Sequence, residues 1–201
     1  MIRVLLAEDQ QLVRGALRAL LELEEDITVV AEVGRGDEVL AAAREHVPDV
    51  ALMDIEMPGQ DGIEAARDLA AELPTVKAVI LTTFGRPGFL RRAMEVGAAG
   101  FLVKDSPVAE LAAAIRSVMA GERVIDRDLA AAALALGATP LSAREADVLR
   151  AAADGATVAD IAGRLFLSEG TVRNYLSNAI GKTGARTRVE AARVAADKGW
   201  L

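Results

Sequence analysis

Cysteine is absent from the 201 residues. That excludes a disulfide scaffold, cysteine-ligated zinc or iron–sulfur, and a thiol nucleophile, and it suits a reducing compartment. Histidine occurs once, at His46. Neither a Ser–His triad with a spare base nor a histidine-rich metal site is therefore expected, and His46 reads as a surface residue at a helix end. Aromatics are 3%, too few for a platform that stacks single-stranded nucleic acid. Long apolar runs are lacking too. Glu8 and Asp9 interrupt the opening MIRVLLAED before it reads as a signal peptide. The charge-free stretch Leu129 to Ala143 has 15 residues and contains Gly137, Pro140 and Ser142. It falls short of the ~20 apolar residues that cross a bilayer. A cytoplasmic chain without membrane insertion is expected.

What the chain does contain is unevenly placed. It is 52% hydrophobic and 26% charged, which is globular, and its length allows one or two domains. The net charge of −7 splits into −9 before residue 140 and +2 from Pro140 onward. Two parts with two tasks are implied.

Short apolar runs at 2–7, 27–33, 49–53, 76–81 and 100–103 read as strands buried on both faces. Helical patterns alternate with them: Leu12, Ala16, Leu20 and Leu23; Val39, Leu40 and Ala43; Ile63, Ala66 and Ala70; Leu90, Ala93 and Met94. A fifth starts at Pro107 with Leu111, Ile115, Val118 and Met119 inward. This alternation predicts an α/β fold, a doubly wound five-stranded parallel sheet over residues 1–121 that Gly121 ends. Residues 122–140 form a linker containing a helix at 126–136, broken by GATP at 137–140. Residues 141–201 form a small all-α domain. Its helices are capped by Ser142, in a capping box with Glu145, by Thr157 and by Ser168, and a fourth covers about 187–198.

Polar residues follow the strands: Glu8 and Asp9 after the first, Asp54 after the third, Thr82 after the fourth, Lys104 after the fifth. Ligands of an open α/β sheet bind outside the carboxyl ends of its strands, so these groups converge. Three carboxylates repel one another and call for a hard cation such as Mg²⁺. A lysine is a mobile point charge suited to a phosphoryl oxygen, and a threonine hydroxyl can donate to the same group. The set fits transient phosphorylation of an aspartate. Any one of these acids alone would read as an ordinary loop residue.

AEDQ (7–10), MDIEMPGQDG (53–62), LTTF (81–84) and GFLVKD (100–105) resemble the receiver domain of bacterial two-component response regulators. The resemblance covers residues 1–121 and implies a flavodoxin-like fold. It makes Asp54 the phosphoacceptor, with Mg²⁺ bound directly by Asp9 and Asp54, through the backbone carbonyl of Glu56, and through water by Glu8. Lys104 and Thr82 would hold the phosphoryl group, and Phe101 would be the aromatic switch. Where many receivers have a cis proline after the lysine, Asp105 stands here. A cis bond before a non-proline costs ~3 kcal/mol, so a trans bond is expected.

In the helix after Ser168, Val172, Leu176, Ala179 and Ile180 form a core stripe, and Arg173, Asn174, Ser177 and Asn178 an opposite stripe without acids. Short polar groups and an arginine suit base edges in a major groove. With a capped helix and a tight turn before it, the segment reads as a helix-turn-helix, though a solvated bundle face has the same spacing. Residues 141–184 resemble the DNA-binding domain of the LuxR/NarL/FixJ class. That implies base contacts from Arg173, Asn174 and Ser177 and backbone contacts from Thr171, Tyr175 and Lys182. Gly181 and Thr183 depart from the basic and apolar residues usual there. Within the class, the whole chain resembles regulators of the DesR type.

The resemblance implies a response regulator transcription factor rather than an enzyme. A sensor histidine kinase would phosphorylate Asp54, the chain would form a homodimer on phosphorylation, and its partner would be double-stranded promoter DNA, with room for a contact to RNA polymerase. Two rivals stand beside it. One is a phosphohydrolase using Asp54, of a class built on Asp-x-Asp, whereas Asp54-Ile55-Glu56 stands here. The other is an adaptor whose helical bundle binds protein.

Overall fold

The computed structural model describes residues 1–83, 87–104, 108–135 and 139–201. The chain forms two compact units, with the main boundary between Ala130 and Ala131.

The first unit alternates strand and helix. In order it contains β1 (Ile2–Ala7), α1 (Gln11–Leu21), β2 (Ile27–Val33), α2 (Val39–His46), β3 (Val50–Met53), α3 (Gly62–Glu72), β4 (Lys77–Thr82), α4 (Pro87–Glu95), β5 (Gly100–Val103), α5 (Val108–Met119) and β6 (Val124–Ile125), after which α6 (Arg127–Ala135) begins. All neighbouring strands are parallel, in the order β2-β1-β3-β4-β5-β6. The order reverses at β1, so a crevice opens where the chain leaves β1 and β3.

Val4, Leu5, Val50, Leu52, Val79 and Ile80 are fully buried, as expected of strands covered on both faces. β2 departs from that reading. It is the edge strand, and most of its residues are only half-buried. The sheet also has a sixth strand where five were expected. Gly121 does end α5, at φ +89°, but Val124 and Ile125 then pair with Gly100 and Phe101. Two residues are too short to show a period.

The inward face of α1 also differs from the expected one. Leu12 and Leu23 are 90% and 77% exposed and Ala16 is exposed, while Leu21 is buried and Leu17 packs on the core. Apolar residues nearly encircle this helix, so spacing alone does not choose a face. Its two arginines do: Arg18 pairs with Glu32 of β2 at 2.5 Å, and Arg14 pairs with the same carboxylate at 3.8 Å. In α3, Leu69 rather than Ala70 is buried, and Met119 of α5 is 39% exposed. The expected helix start at Pro107, the trans bond before Asp105, Phe84 of LTTF, and Gly137 and Ala138 of the GATP break lie outside the described residues.

The second unit contains α7 (Ala143–Ala152), α8 (Val158–Leu165), α9 (Glu169–Thr183) and α10 (Arg188–Asp197). The first three starts are capped as the sequence implies, and the fourth is capped as well. Ser142 and Glu145 form a capping box, Thr157 and Asp160 a second, and the Ser168 and Thr187 side chains accept from the backbone N–H three residues on. Val148, Leu149, Ile161, Val172, Leu176, Ala179 and Ala191 form the core. The α8–α9 turn passes through Phe166 at φ 54° and ψ 45°, left-handed backbone that a non-glycine residue rarely adopts.

Candidate functional site

Glu8, Asp54, Thr82 and Glu145 are the buried polar or charged residues among those described. Three of them lie at the carboxyl ends of β1, β3 and β4.

Backbone bonds fix this edge. The Asp54 N–H donates to the Ala7 carbonyl at 2.9 Å, and the Lys104 N–H donates to the Thr82 carbonyl at 2.8 Å. The loop after Asp54 turns tightly onto α3, whose first residue is Gly62. A Cβ there would stand 1.9 Å from the Asp54 carbonyl oxygen, so only glycine permits this approach. Asp61 caps α3 by accepting from the Glu64 N–H at 2.7 Å, and its other oxygen takes a 2.9 Å bond from Arg92.

The side chains meet as the strand-end reasoning requires. Lys104 Nζ lies 2.5 Å from Glu8 Oε2 and 2.9 Å from Asp54 Oδ2. Asp54 Oδ1 accepts from the Ile55 N–H at 2.7 Å, and Glu8 Oε1 from the Gln10 N–H at 3.1 Å. Asp9 is exposed beside them, and ligand oxygens of Glu8, Asp9 and Asp54 all lie within 4.8 Å of one another. Burial pushes the Glu8 carboxyl above the usual carboxylate range; Lys104 pulls it back and Asp54 adds to the rise. Burial works to lower the Lys104 ammonium, but hydrogen bonds and charge from Glu8 and Asp54 outweigh it and hold the value above the ordinary one for lysine. Glu56 is exposed and its carboxylate stands outside the cluster; the sequence expectation concerned its carbonyl. Phe101 is fully buried in β5, three residues before Lys104.

One lysine faces three carboxylates, so the site carries excess negative charge and hard oxygen donors close enough to share one ion. The donor set fits a divalent cation of the Mg²⁺ type.

In the second unit, α9 shows the expected two faces. Val172, Leu176 and Ala179 are buried, while Arg173, Asn174, Ser177 and Asn178 are exposed. Thr171 is half-buried, its N–H bonded to Ser168 Oγ at 3.1 Å, and Tyr175 is half-buried against the core. Two contacts escaped the sequence reading. The exposed stripe does have an acid, because Glu169 lies one turn before Arg173 and pairs with it at 2.5 Å. Lys182 pairs at 2.6 Å with the buried Glu145 of α7. The first follows from i,i+4 spacing; the second links residues 37 apart, and only the fold brings them together. Arg164, Arg186 and Arg193 are exposed and show no ion pair among the described residues, which adds cations to this unit that the motif did not mark.

Residues 4–116 match the family described as response regulator receiver domain, and residues 139–195 match bacterial regulatory proteins of the luxR family. The chain is 46% identical over 201 residues, all of both chains, to the uncharacterized transcriptional regulatory protein YvfU of Bacillus subtilis (strain 168). It is equally similar, over the same full length, to the transcriptional regulatory protein DesR of that organism. Among solved structures, the response regulator ChrA of a heme-sensing two-component system is 34% identical, with a TM-score of 0.59 over 100% of this chain and 98% of that one.

Proposed function

The chain belongs to the response-regulator family, joining a receiver domain to a LuxR-family DNA-binding domain, and on that premise we propose that it is a cytoplasmic transcription factor switched by phosphorylation of Asp54. The receiver comprises residues 1–121 with the short β6 beyond them, the linker holds α6, and residues 141–201 bind promoter DNA.

The bridge from Lys104 to Glu8 and Asp54 carries this reading, because it puts a cationic clamp on the expected nucleophile. A carboxylate oxygen of Asp54 attacks the phosphorus of a phosphohistidine on a sensor kinase. The new P–O bond forms as the P–N bond breaks, and the departing imidazole nitrogen takes a proton. Lys104 then holds a phosphoryl oxygen, and the Thr82 hydroxyl donates to another. Glu8, Asp9, Asp54 and the Glu56 carbonyl would hold Mg²⁺, which supplies positive charge to the oxygens of the transferring group. Phe101, buried in β5 three residues before Lys104, is the switch residue.

Exposed Leu12 on α1, Leu23 just beyond its end and Met119 on α5 leave apolar surface in water, which favours these two helices for homodimerisation. A dimer presents two α9 helices to half-sites about one helical turn apart, with Arg173, Asn174 and Ser177 toward bases and Thr171 and Tyr175 toward the backbone. Bound there, it has room for a contact to RNA polymerase. Among the described residues no helix is long and apolar enough to cross a membrane.

Acetyl phosphate with Mg²⁺ should place one acid-labile phosphoryl group on each chain, at Asp54. Uptake at the wild-type rate by Asp54→Asn would refute the assignment, and sustained turnover of phosphomonoesters would favour a phosphohydrolase.

A further inference from the structure

Lys182 stands apart from the reading stripe of α9. At about 100° per residue, nine residues place it about 180° around the helix from Arg173 and about 13 Å further along the axis. Its Nζ donates to Glu145 Oε2 at 2.6 Å, where the lysine side chain is 40% exposed and the glutamate only 5%. The same oxygen accepts the Ser142 N–H at 2.7 Å. Lys182 therefore joins the last turn of α9 to the capping box that starts α7. The chain on either side is fixed: Leu141, next to Ser142, and Ala179, three residues before Lys182, are buried, and Thr183 Oγ1 donates to the Ala179 carbonyl at 2.8 Å. A lysine that swung out to a phosphate would give up this ion pair and leave the Glu145 carboxylate with the Ser142 N–H alone, which is unfavourable.

We infer that Lys182 is a positioning residue: its bond to Glu145 sets the pose of α9 on α7, and so aims Arg173, Asn174 and Ser177 at the bases. The inference rests on the DNA-binding reading above and reassigns the one α9 cation that the motif places at the phosphate backbone.

The two roles give opposite signs in one variant. Glu145→Gln keeps an acceptor for the Ser142 N–H but removes the charge that holds Lys182. The full-length chain, treated with beryllofluoride and Mg²⁺, is titrated against a duplex it has itself enriched from a random-sequence pool, and against that duplex scrambled, over a range of salt. With Lys182 positioning the helix, Glu145→Gln and Lys182→Met each lower the specific-to-scrambled affinity ratio by about tenfold, a size usual for coupled neighbours. The salt slope is unchanged, the double variant is no worse than either single one, and Lys182→Arg restores part of the ratio. With Lys182 gripping a phosphate, Glu145→Gln frees it, so affinity rises on both duplexes and the slope steepens by about one, while Lys182→Met flattens it by about one. That outcome overturns the inference.

Should Lys182→Met not fold, Glu145→Gln and Lys182→Arg decide the sign on their own. A DNA-free arm, amide exchange across α9, should show faster exchange in Glu145→Gln; exchange unchanged from wild type counts against the inference. Failure of the wild-type chain to enrich any sequence defeats the DNA-binding reading itself and the inference with it, a result distinct from enrichment followed by the phosphate pattern.

Discussion

Each unit buries one glutamate against one lysine at nearly the same distance, 2.5 Å for Glu8–Lys104 and 2.6 Å for Glu145–Lys182. The two carboxyls nevertheless move in opposite directions, Glu8 upward and Glu145 downward. Burial is the largest influence on both and raises both. Two things differ: Glu8 lies far deeper in the protein than Glu145, and the stoichiometry of charge is not the same. Lys104 is shared with Asp54, with Asp9 close by, so Glu8 sits in a site short of positive charge. Glu145 has Lys182 to itself and also accepts the Ser142 N–H at 2.7 Å. A pair whose charges balance is a tie within the fold. A cluster whose charges do not balance still needs a ligand, which distinguishes a place of chemistry from a place of architecture.

Removing the lysine from each cluster should therefore have unequal consequences, and the larger belongs to the first unit. Lys104→Ala should still accept phosphate slowly at Asp54, because the nucleophile and the Mg²⁺ ligands remain. The phosphorylation-dependent gain in DNA affinity, of the order of 5–150-fold for couplings of this kind, should vanish. Lys182→Met should leave phosphorylation at the wild-type rate. Phosphotransfer assays read beside gel shifts compare the two. Normal activation in Lys104→Ala would erase the distinction drawn here.

Arg173 offers the next effect. If it makes a bidentate contact to guanine, Arg173→Ala should cost ~1–3 kcal/mol on the preferred duplex and little on scrambled DNA. Arg173 meanwhile holds Glu169, so Glu169→Ala should free it and raise affinity more on the preferred duplex than on scrambled DNA. Equal losses on both duplexes for Arg173→Ala would remove its base-reading role.

Much of this contrast could be read from the chain before its structure. Glu8, Asp9, Asp54, Thr82 and Lys104 are scattered over nearly a hundred residues, yet the rule that ligands gather at strand ends brings them together. The HTH stripe is local and follows from a period of 3.6. The Glu169–Arg173 pair escaped although its i,i+4 spacing is local; the rest of what escaped had no local signature. The face of α1 depends on Arg14 and Arg18 reaching Glu32 on a neighbouring strand, and β6 is too brief to announce itself. Glu145 announced one role, the cap of α7, and its burial against Lys182 depends on how α7 and α9 pack.

If the first cluster lacks a cation, supplying one should stabilise that unit alone. Mg²⁺ at ten times its dissociation constant should add about 1.4 kcal/mol to the first unit, following the logarithm of ligand excess. Asp9→Asn, which removes a ligand but leaves the Lys104 bridge in place, should weaken this gain. Unfolding followed separately in the two units by amide exchange reads both. A gain shared equally by the second unit would point to general ionic screening and blur the comparison.

The smallest effect is acid sensitivity of the second unit, and its sign follows from Glu145. In the folded chain Lys182 and Ser142 outweigh burial and hold this carboxyl below its usual value of 4.5. The unfolded chain therefore binds its proton first as pH falls. Stability from the ionised Glu145 is fully present above 4.5 and is lost as pH drops through the lowered folded value. Amide exchange across α7 and α9 should accelerate in that window beyond the ordinary dependence on pH. In Glu145→Gln the group that titrates is gone, so exchange should already be faster at neutral pH and this added acid step should be missing. Persistence of the step in Glu145→Gln would assign it to another carboxylate, Asp160 being the first to test, since its bonds from Thr157 hold it low as well.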